Sequence, residues 1–265
     1  MSALVELRGV SAGYHGHAVL HNLSLSVAQG DCLAVIGPNG GGKTTMLRVV
    51  CRALRPLAGE VLLDGRDATT LTQAAVARMI GLVPQMAGGI GFEFTVEETV
   101  LMGRYPHLSG LQRPGRADMA IAEDAMRATG VLGLRDRMLS ELSGGESQRV
   151  YIARSIAQQP RVLLLDEPTA HLDLGYQAEI MHLLRQLNGG GRGLSIVAVL
   201  HDLNLAVQFF DRFVVVADGR VAASGGPEII QSSLLSQIYG ADVHVDRAGD
   251  GTIRRIFAEV RQGED

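Results

Sequence analysis

The sequence predicts an α/β fold: a core of mainly parallel sheet, an N-terminal antiparallel β layer, and a helical subdomain inserted into the core. Three observations carry this prediction. Residues 33–36, 162–165 and 196–200 are short unbroken apolar runs, the pattern of parallel strands buried on both faces. Residues 4–8 and 23–27 instead alternate apolar and polar side chains, as half-solvated antiparallel strands do. Between Gln85 and Pro160 the strand signals fade and helical periodicity takes their place.

Taken in order, the two alternating segments make the β layer and residues 33–36 begin the core. Residues 96–103 and 119–129 read as amphipathic helices, the second with Met119, Ala122, Ala125 and Met126 at helical spacing. About residues 86–160 therefore form the inserted helical subdomain, and the run at 162–165 returns the chain to the sheet. A helix over 177–187, stopped by Asn188 and Gly189, leads through the Gly-rich connection 189–193 to the strand at 196–200. Past Gly225, residues 227–239 read as one more helix, and residues 243–245 and 252–257 flank the turn residues Gly249, Asp250 and Gly251 as a hairpin. Residues 226–265 thus form a C-terminal helix and hairpin. No repeat or low-complexity run interrupts the chain, so residues 1–265 are expected to be a single domain.

With 265 residues, 46% of them hydrophobic, the chain can bury a full core. A formal net charge of -4 gives no electrostatic footprint for DNA or RNA, so no nucleic acid is expected as a partner. Cys32 and Cys51 supply neither a disulfide framework nor paired metal spacing, and read as buried thiols of a protein in a reducing compartment. Residues 1–10 include Glu6 and Arg8 and lack the charged-then-apolar order of a signal peptide, so the protein is expected to stay inside the cell. No apolar stretch approaches the roughly 18–20 residues that cross a bilayer, and any membrane role is expected to come through a partner.

The segment Gly37, Pro38, Asn39, Gly40, Gly41, Gly42, Lys43, Thr44 and Thr45 fits G-x-x-x-x-G-K-[ST] and directly follows the predicted strand 33–36, the context this motif requires. Its glycines let successive backbone N–H groups point into one concavity at a helix N-terminus, where phosphate binds, while Lys43 adds a cation and Thr44 a hydroxyl for Mg²⁺. Residues 162–167 end a buried strand in two carboxylates at the carboxyl edge of the sheet. Asp166 would hold Mg²⁺, directly or through water, and Glu167 would polarise the attacking water against a γ-phosphate. Read alone, the pair also fits a solvated strand end that caps the next turn. Shortly before that strand, Leu142, Ser143, Gly144, Gly145, Glu146, Ser147, Gln148 and Arg149 can open a helix with exposed N–H groups and a hydroxyl, a second phosphate grip. One P-loop and two grips are reconciled if the second serves ATP held by another copy of the chain. An ordinary N-cap, with Glu146 and Gln148 in the first helical turn, is compatible with that reading.

These residues resemble the ATP-binding-cassette ATPases over nearly the whole chain. Residues 37–45 resemble the Walker A motif of a P-loop NTPase core, residues 142–146 the family's signature sequence, and residues 162–167 the Walker B strand with its catalytic glutamate. Gln85 is similar to the Q-loop glutamine, Leu172 and Asp173 to the D-loop, and His201, after the strand at 196–200, to the switch histidine that contacts the γ-phosphate. The resemblance implies a nucleotide-binding domain with ATP and Mg²⁺ as cofactors, Glu167, His201 and Gln85 as the catalytic group, and Thr44, Gln85 and Asp166 around the metal. It also implies nucleotide contacts from the P-loop, from Tyr14 stacked on adenine, and from Ser143, Gly144, Gly145, Glu146 and Asp173. In this family two subunits sandwich two ATP molecules head to tail. Tyr14 also reads as a core residue of the β layer, and a lone His after an apolar strand is commonly structural. Gly41 stands where the family often has Ala or Ser, and His171 occupies a variable D-loop position.

Residues 92–107, which follow the Q-loop, resemble the corresponding stretch of importers for iron-siderophore, haem and cobalamin. That resemblance implies an ATP-hydrolysing subunit bound peripherally at the cytoplasmic face of the membrane, with a separate integral-membrane permease and an extracytoplasmic substrate-binding protein. Phe92, Phe94 and Val96 would either receive a coupling helix of the permease or pack the subdomain core. Importers for manganese, zinc or molybdate remain open on the sequence. A soluble cassette protein of translation or DNA repair would usually carry two cassettes, a coiled coil or a zinc-bearing insertion, and a small-molecule kinase gives no reason for Ser143, Gly144, Gly145 or His201. His15, His17 and His21 suggest a metal store, but residues 15 and 17 flank Gly16 in a turn and no carboxylate or Cys completes a set.

Overall fold

The computed structural model describes residues 3–85, 94–110, 112–191 and 193–259. The chain opens with β1 (Ala3–Tyr14), β2 (His17–Ala28), β3 (Cys32–Ile36) and α1 (Lys43–Val50), then β4 (Ala58–Leu63), β5 (Arg66–Asp67), α2 (Gln73–Met79) and β6 (Ile80–Val83). Three helices follow: α3 (Val96–Leu101), α4 (Arg116–Ala128) and α5 (Gly144–Ala157). Next come β7 (Val162–Asp166), α6 (Leu174–Gly189), β8 (Ser195–Val199), α7 (Leu203–Phe209), β9 (Arg212–Ala217) and β10 (Arg220–Gly225). The described chain closes with α8 (Ser232–Tyr239), β11 (Asp242–Arg247) and β12 (Ile253–Glu259).

The central sheet has the order β10-β9-β3-β8-β7-β6, parallel from β9 to β6 with β10 antiparallel at one edge. Alternate residues of its inner strands enter two different cores. Cys32, Ala34 and Ile36 join one, with α3 to α6 and the C-terminal hairpin, while Leu33 and Val35 join the other, with the β layer and α1. The same division splits Leu163 and Leu165 from Val162 and Leu164. An unbroken apolar run is what two buried faces require, and each fully buried Leu, Ile or Val contributes about 1.5–3 kcal/mol. The β layer is the antiparallel sheet β2-β1-β4-β5, whose register shifts at several points along β1.

Several expectations need correction. The helix expected over 96–103 ends at Leu101, and a 3-10 turn at Met102–His107, which contains Pro106, takes over because proline lacks the N–H that an α-helix needs. Met119 does not join the buried stripe of α4: it is 52% exposed, while Ala122, Ala125 and Met126 are buried, so the packed face begins one turn later. The helix expected over 227–239 is broken into a 3-10 turn (Pro227–Ile229) and α8, because Ile230 turns fully into the core and Gln231 is extended. Strand β6 carries too short an apolar segment to stand out in the sequence. Cys32 is buried, but Cys51 is only half-buried. Asn188 does not end α6, which runs to Gly189; its side-chain amide instead donates to the carbonyls of Gly30 and Leu194.

Candidate nucleotide site

The carboxyl ends of β3, β8, β7 and β6 are neighbours on one edge of the central sheet, the edge at which ligands of such sheets bind. β3 passes directly into residues 37–42. Gly37 adopts φ +142°, and a Cβ there would stand 1.9 Å from the Val216 carbonyl oxygen on β9, so the loop can pass this strand only as glycine. Gly42, at φ 99°, is the N-cap of α1, and no side chain caps the first N–H groups of that helix. The loop borders a cavity of about 210 Å³ lined by Val19, Asn39, Gly40, Gly41, Gly42, Lys43, Thr44, Thr45, Glu167 and His201.

Lys43 is 5% exposed and its ammonium donates to the carbonyls of Gly37 and Pro38, each at 2.7 Å. Burial lowers its pKa, against the opposing pull of the Glu167 and Asp166 carboxylates. Asp166, the last residue of β7, is also buried, and its Oδ1 accepts the Thr44 hydroxyl at 3.1 Å. Here burial raises the pKa, while the Thr44 hydrogen bond acts the other way and the neighbouring Glu167 charge adds to the rise. The two oxygens suit Mg²⁺: they are hard donors, and their spacing is close to the ~2.9 Å between adjacent oxygens of an octahedron with bonds of about 2.0–2.1 Å.

Glu167 is the unusual residue of the site. Its φ of +52° places a side chain in the left-handed region, where such residues cost roughly 1–3 kcal/mol. Its N–H still extends the ladder by donating to the Val199 carbonyl at 3.1 Å, and its own carbonyl accepts Ala170 N–H to close the next turn. The carboxylate is held from both sides: Oε2 accepts the Gln85 amide at 2.8 Å, and Oε1 lies 2.5 Å from His201 Nε2. Gln85 comes from just beyond β6, and His201 from just beyond β8. Three neighbouring strands thus deliver a carboxylate, an amide and an imidazole to one point beside the phosphate-binding loop.

The remaining expected contacts lie elsewhere in the chain. Tyr14 ends β1, half-buried, and its hydroxyl accepts Arg48 Nη1 at 3.0 Å, with the guanidinium 5.9 Å from the ring centre; it does not line the cavity. Ser143 and Glu146 form a capping box at the start of α5, the Ser143 oxygen accepting Glu146 N–H and Glu146 Oε2 accepting Ser143 N–H. Asp173 caps α6 by accepting Tyr176 N–H at 3.0 Å. These two helix starts meet: a Cβ on Gly145 would lie 2.3 Å from the Tyr176 ring, and one on Gly144 would lie 3.4 Å from Leu172. Ser143, Gly144, Gly145, Glu146 and Asp173 do not line the cavity of their own chain. Val96 is fully buried and Phe94 is 36% exposed, whereas Phe92 lies outside the described residues. Sequence reasoning missed Val19, which lines the cavity, and the Val216 carbonyl, which crowds Gly37; an apolar side chain and a main-chain oxygen carry no chemical signature.

Residues 20–170 match the ABC transporter family, more than half of the chain. The chain belongs to that family. Among its relatives, the ferric enterobactin transport ATP-binding protein of Escherichia coli is 40% identical over 241 residues, covering 90% of this chain and 88% of that protein. The achromobactin transport ATP-binding protein of Dickeya dadantii is 40% identical over 249 residues, with 92% and 90% covered. The hemin import ATP-binding protein of Gloeobacter violaceus is 41% identical over 234 residues, with 86% and 83% covered. A chain of an inward-facing ABC transporter assigned to the metal-chelate type superposes with a TM-score of 0.84 at 26% identity, covering 98% of this chain and 99% of that one. An ATP-binding cassette solved as a dimer with ADP and Pi superposes with a TM-score of 0.73 at 30% identity, with 84% and 98% covered. The fold is that of the ABC ATPase cassettes, and this ABC chain is an ATP-binding transport ATPase.

Proposed function

We propose that this chain is the ATP-hydrolysing subunit of an importer for an iron chelate (haem or a siderophore) or for cobalamin. It works as a head-to-tail pair, peripherally on the cytoplasmic face of a membrane, through a separate permease. The observation that carries the mechanism is Glu167 held between Gln85 and His201 beside the phosphate-binding loop.

In this reading residues 37–45 and the start of α1 hold the phosphates of ATP, and Lys43 exchanges its two carbonyl partners for phosphate oxygens. Thr44 and Asp166, with Gln85 alongside, would hold Mg²⁺, which would supply neutralisation of the phosphate charge when bound. Glu167 accepts a hydrogen bond from the attacking water and orients it in line with the γ-phosphate. His201 fixes the Glu167 carboxylate and, lining the same cavity, can reach the γ-phosphate, while Gln85 holds that carboxylate through its other oxygen. Ser143, Gly144, Gly145, Glu146 and Asp173 close on ATP held by the second copy, while Tyr14 stacks against adenine. Residues 1–265 act as a single nucleotide-binding domain, with about residues 86–160 as its helical subdomain, whose stretch near Gln85 receives the permease, and residues 226–265 as its C-terminal helix and hairpin.

The transported class rests on the relatives, which are named for ferric enterobactin, achromobactin, hemin and, in Halobacterium salinarum, cobalamin. Closure of the pair on ATP and its reopening after hydrolysis would move a permease that is bound differently in the two states, with an extracytoplasmic binding protein delivering cargo. The test is co-purification with the permease, reconstitution in liposomes and uptake driven by internal ATP. Uptake of a ferric siderophore, haem or cobalamin is expected; uptake of manganese, zinc or molybdate alone would overturn the substrate class.

A further inference from the structure

The C-terminal hairpin carries a cluster of ligating side chains that nucleotide chemistry does not use. β11 and β12 pair with Asp242 directly opposite Glu259 and His244 opposite Phe257, so Asp242, His244 and Glu259 stand on one face. The His244 ring stacks on Phe257 with centroids 5.3 Å apart and planes inclined by 22°. Its Nε2 lies 3.6 Å from Asp242 Oδ1 and 3.7 Å from Glu259 Oε2, and the three ligand atoms all lie within 4.8 Å of one another. The hairpin is braced from behind by α8: the Ser236 hydroxyl bonds both main-chain groups of Val243, and the Ser232 hydroxyl accepts Val245 N–H.

Two features separate this cluster from an ordinary acidic surface. His244 Nε2 is shielded from solvent and has no hydrogen-bond partner among the described residues, an arrangement that forfeits water without replacing it. Asp242 and Glu259 are like charges directly opposite across the strands, which destabilises a hairpin, and among the described residues neither is paired with a Lys or Arg. A cation between the three groups relieves both. The two distances from Nε2 exceed the roughly 2.7–3.2 Å of a hydrogen bond and sit at the upper end of the ~3.3–3.6 Å between two ligands of a tetrahedral ion with bonds of about 2.0–2.2 Å, so a small inward shift of the carboxylates would complete the site.

We propose that Asp242, His244 and Glu259 bind a divalent first-row transition-metal ion, Zn²⁺ fitting best, with water completing the coordination. An imidazole beside two carboxylates suits this class, whereas Mg²⁺ and Ca²⁺ call for an all-oxygen shell of six or more ligands.

The test is isothermal titration of the untagged, nucleotide-free protein with Zn²⁺, repeated in millimolar Mg²⁺, alongside the ring ¹⁵N shifts of His244. One saturable equivalent is expected, insensitive to Mg²⁺ and retained when His15, His17 and His21 are all changed to Ala. Because even loss of an outer-shell partner costs roughly 10–100-fold in affinity, His244→Ala and the exposed Glu259→Gln should each weaken binding by at least tenfold, and Zn²⁺ should shift the His244 nitrogens. An unchanged isotherm in Glu259→Gln, or His244 nitrogens that respond to pH and not to Zn²⁺, would overturn the site.

Discussion

Asp166 and Lys43 lie buried side by side at the foot of the phosphate-binding loop, and each has its charged form disfavoured by that burial. For Asp166 the folded pKa lies above the unfolded one, so its contribution to stability is fully present below the unfolded carboxylate range and is lost as pH rises through the folded value. Nucleotide-free protein should therefore lose stability, in part through this group, as pH rises above the ordinary carboxylate range. Asp166→Asn, which can still accept the Thr44 hydroxyl, should raise the melting temperature at neutral pH, by about 2–4 °C for each 1 kcal/mol relieved. The same variant should lose the extra stabilisation that Mg²⁺ adds to ATP; calorimetric melts with and without Mg²⁺ and ATP read both effects. Lys43→Ala, in contrast, should weaken nucleotide binding itself, since the phosphates lose their cationic partner; undiminished ATP affinity by titration would count against the phosphate-grip reading. Gly37→Ala should instead lower the melting temperature of the nucleotide-free protein in the same calorimetric melts, because its Cβ would meet the Val216 carbonyl at 1.9 Å on a backbone with φ +142°.

Among the elements, the helical segment after β6 is tied together by a buried polar side chain as well as by its apolar face. Arg104, in the 3-10 turn after α3, pairs with Asp118 of α4 at 2.9 Å and donates to the Ala157 carbonyl at the end of α5 at 2.7 Å. The side chains of Arg104 and Asp118 are 6% and 14% exposed, so removing one partner strands a charge. Arg104→Ala should destabilise the protein by about 3–5 kcal/mol, whereas Arg104→Met combined with Asp118→Asn should cost much less, as urea unfolding would show. This tie was not legible in the sequence, because nothing in the spacing of Arg104 and Asp118 tells that a 3-10 turn will bring them together. The inner strands were legible for the opposite reason: residues 33–36, 162–165 and 196–200 feed two cores, which leaves no room for a polar position. The break at residues 230–231 was hidden because helical spacing continues across it, while burial of Ile230 is decided by distant packing. Of the site, residues 39–45 and Glu167 were readable from motif chemistry and His201 from the family resemblance, and they do surround one cavity. The backbone conformation of Glu167, and the hold that Gln85 and His201 take on it, depend on strands far apart in sequence and came only with the fold.

For the whole molecule, the strand order decides what can meet. β6, β7, β8 and β3 are neighbours, so a glutamine, two carboxylates, a histidine and the phosphate-binding loop arrive at a single edge from four separate segments between Gly37 and His201. The starts of α5 and α6 pack against each other and leave the cavity of their own chain without Ser143 or Asp173, which suits completion of the site by a second copy. The most direct measurement is ATP turnover of Glu167→Gln together with its molecular mass in ATP and Mg²⁺ by analytical ultracentrifugation. Hydrolysis should fall by roughly 10²- to 10⁴-fold or more, with ATP still bound and the mass doubled by a trapped pair. Turnover equal to that of the unaltered chain would contradict the assignment of Glu167 as the residue that activates water.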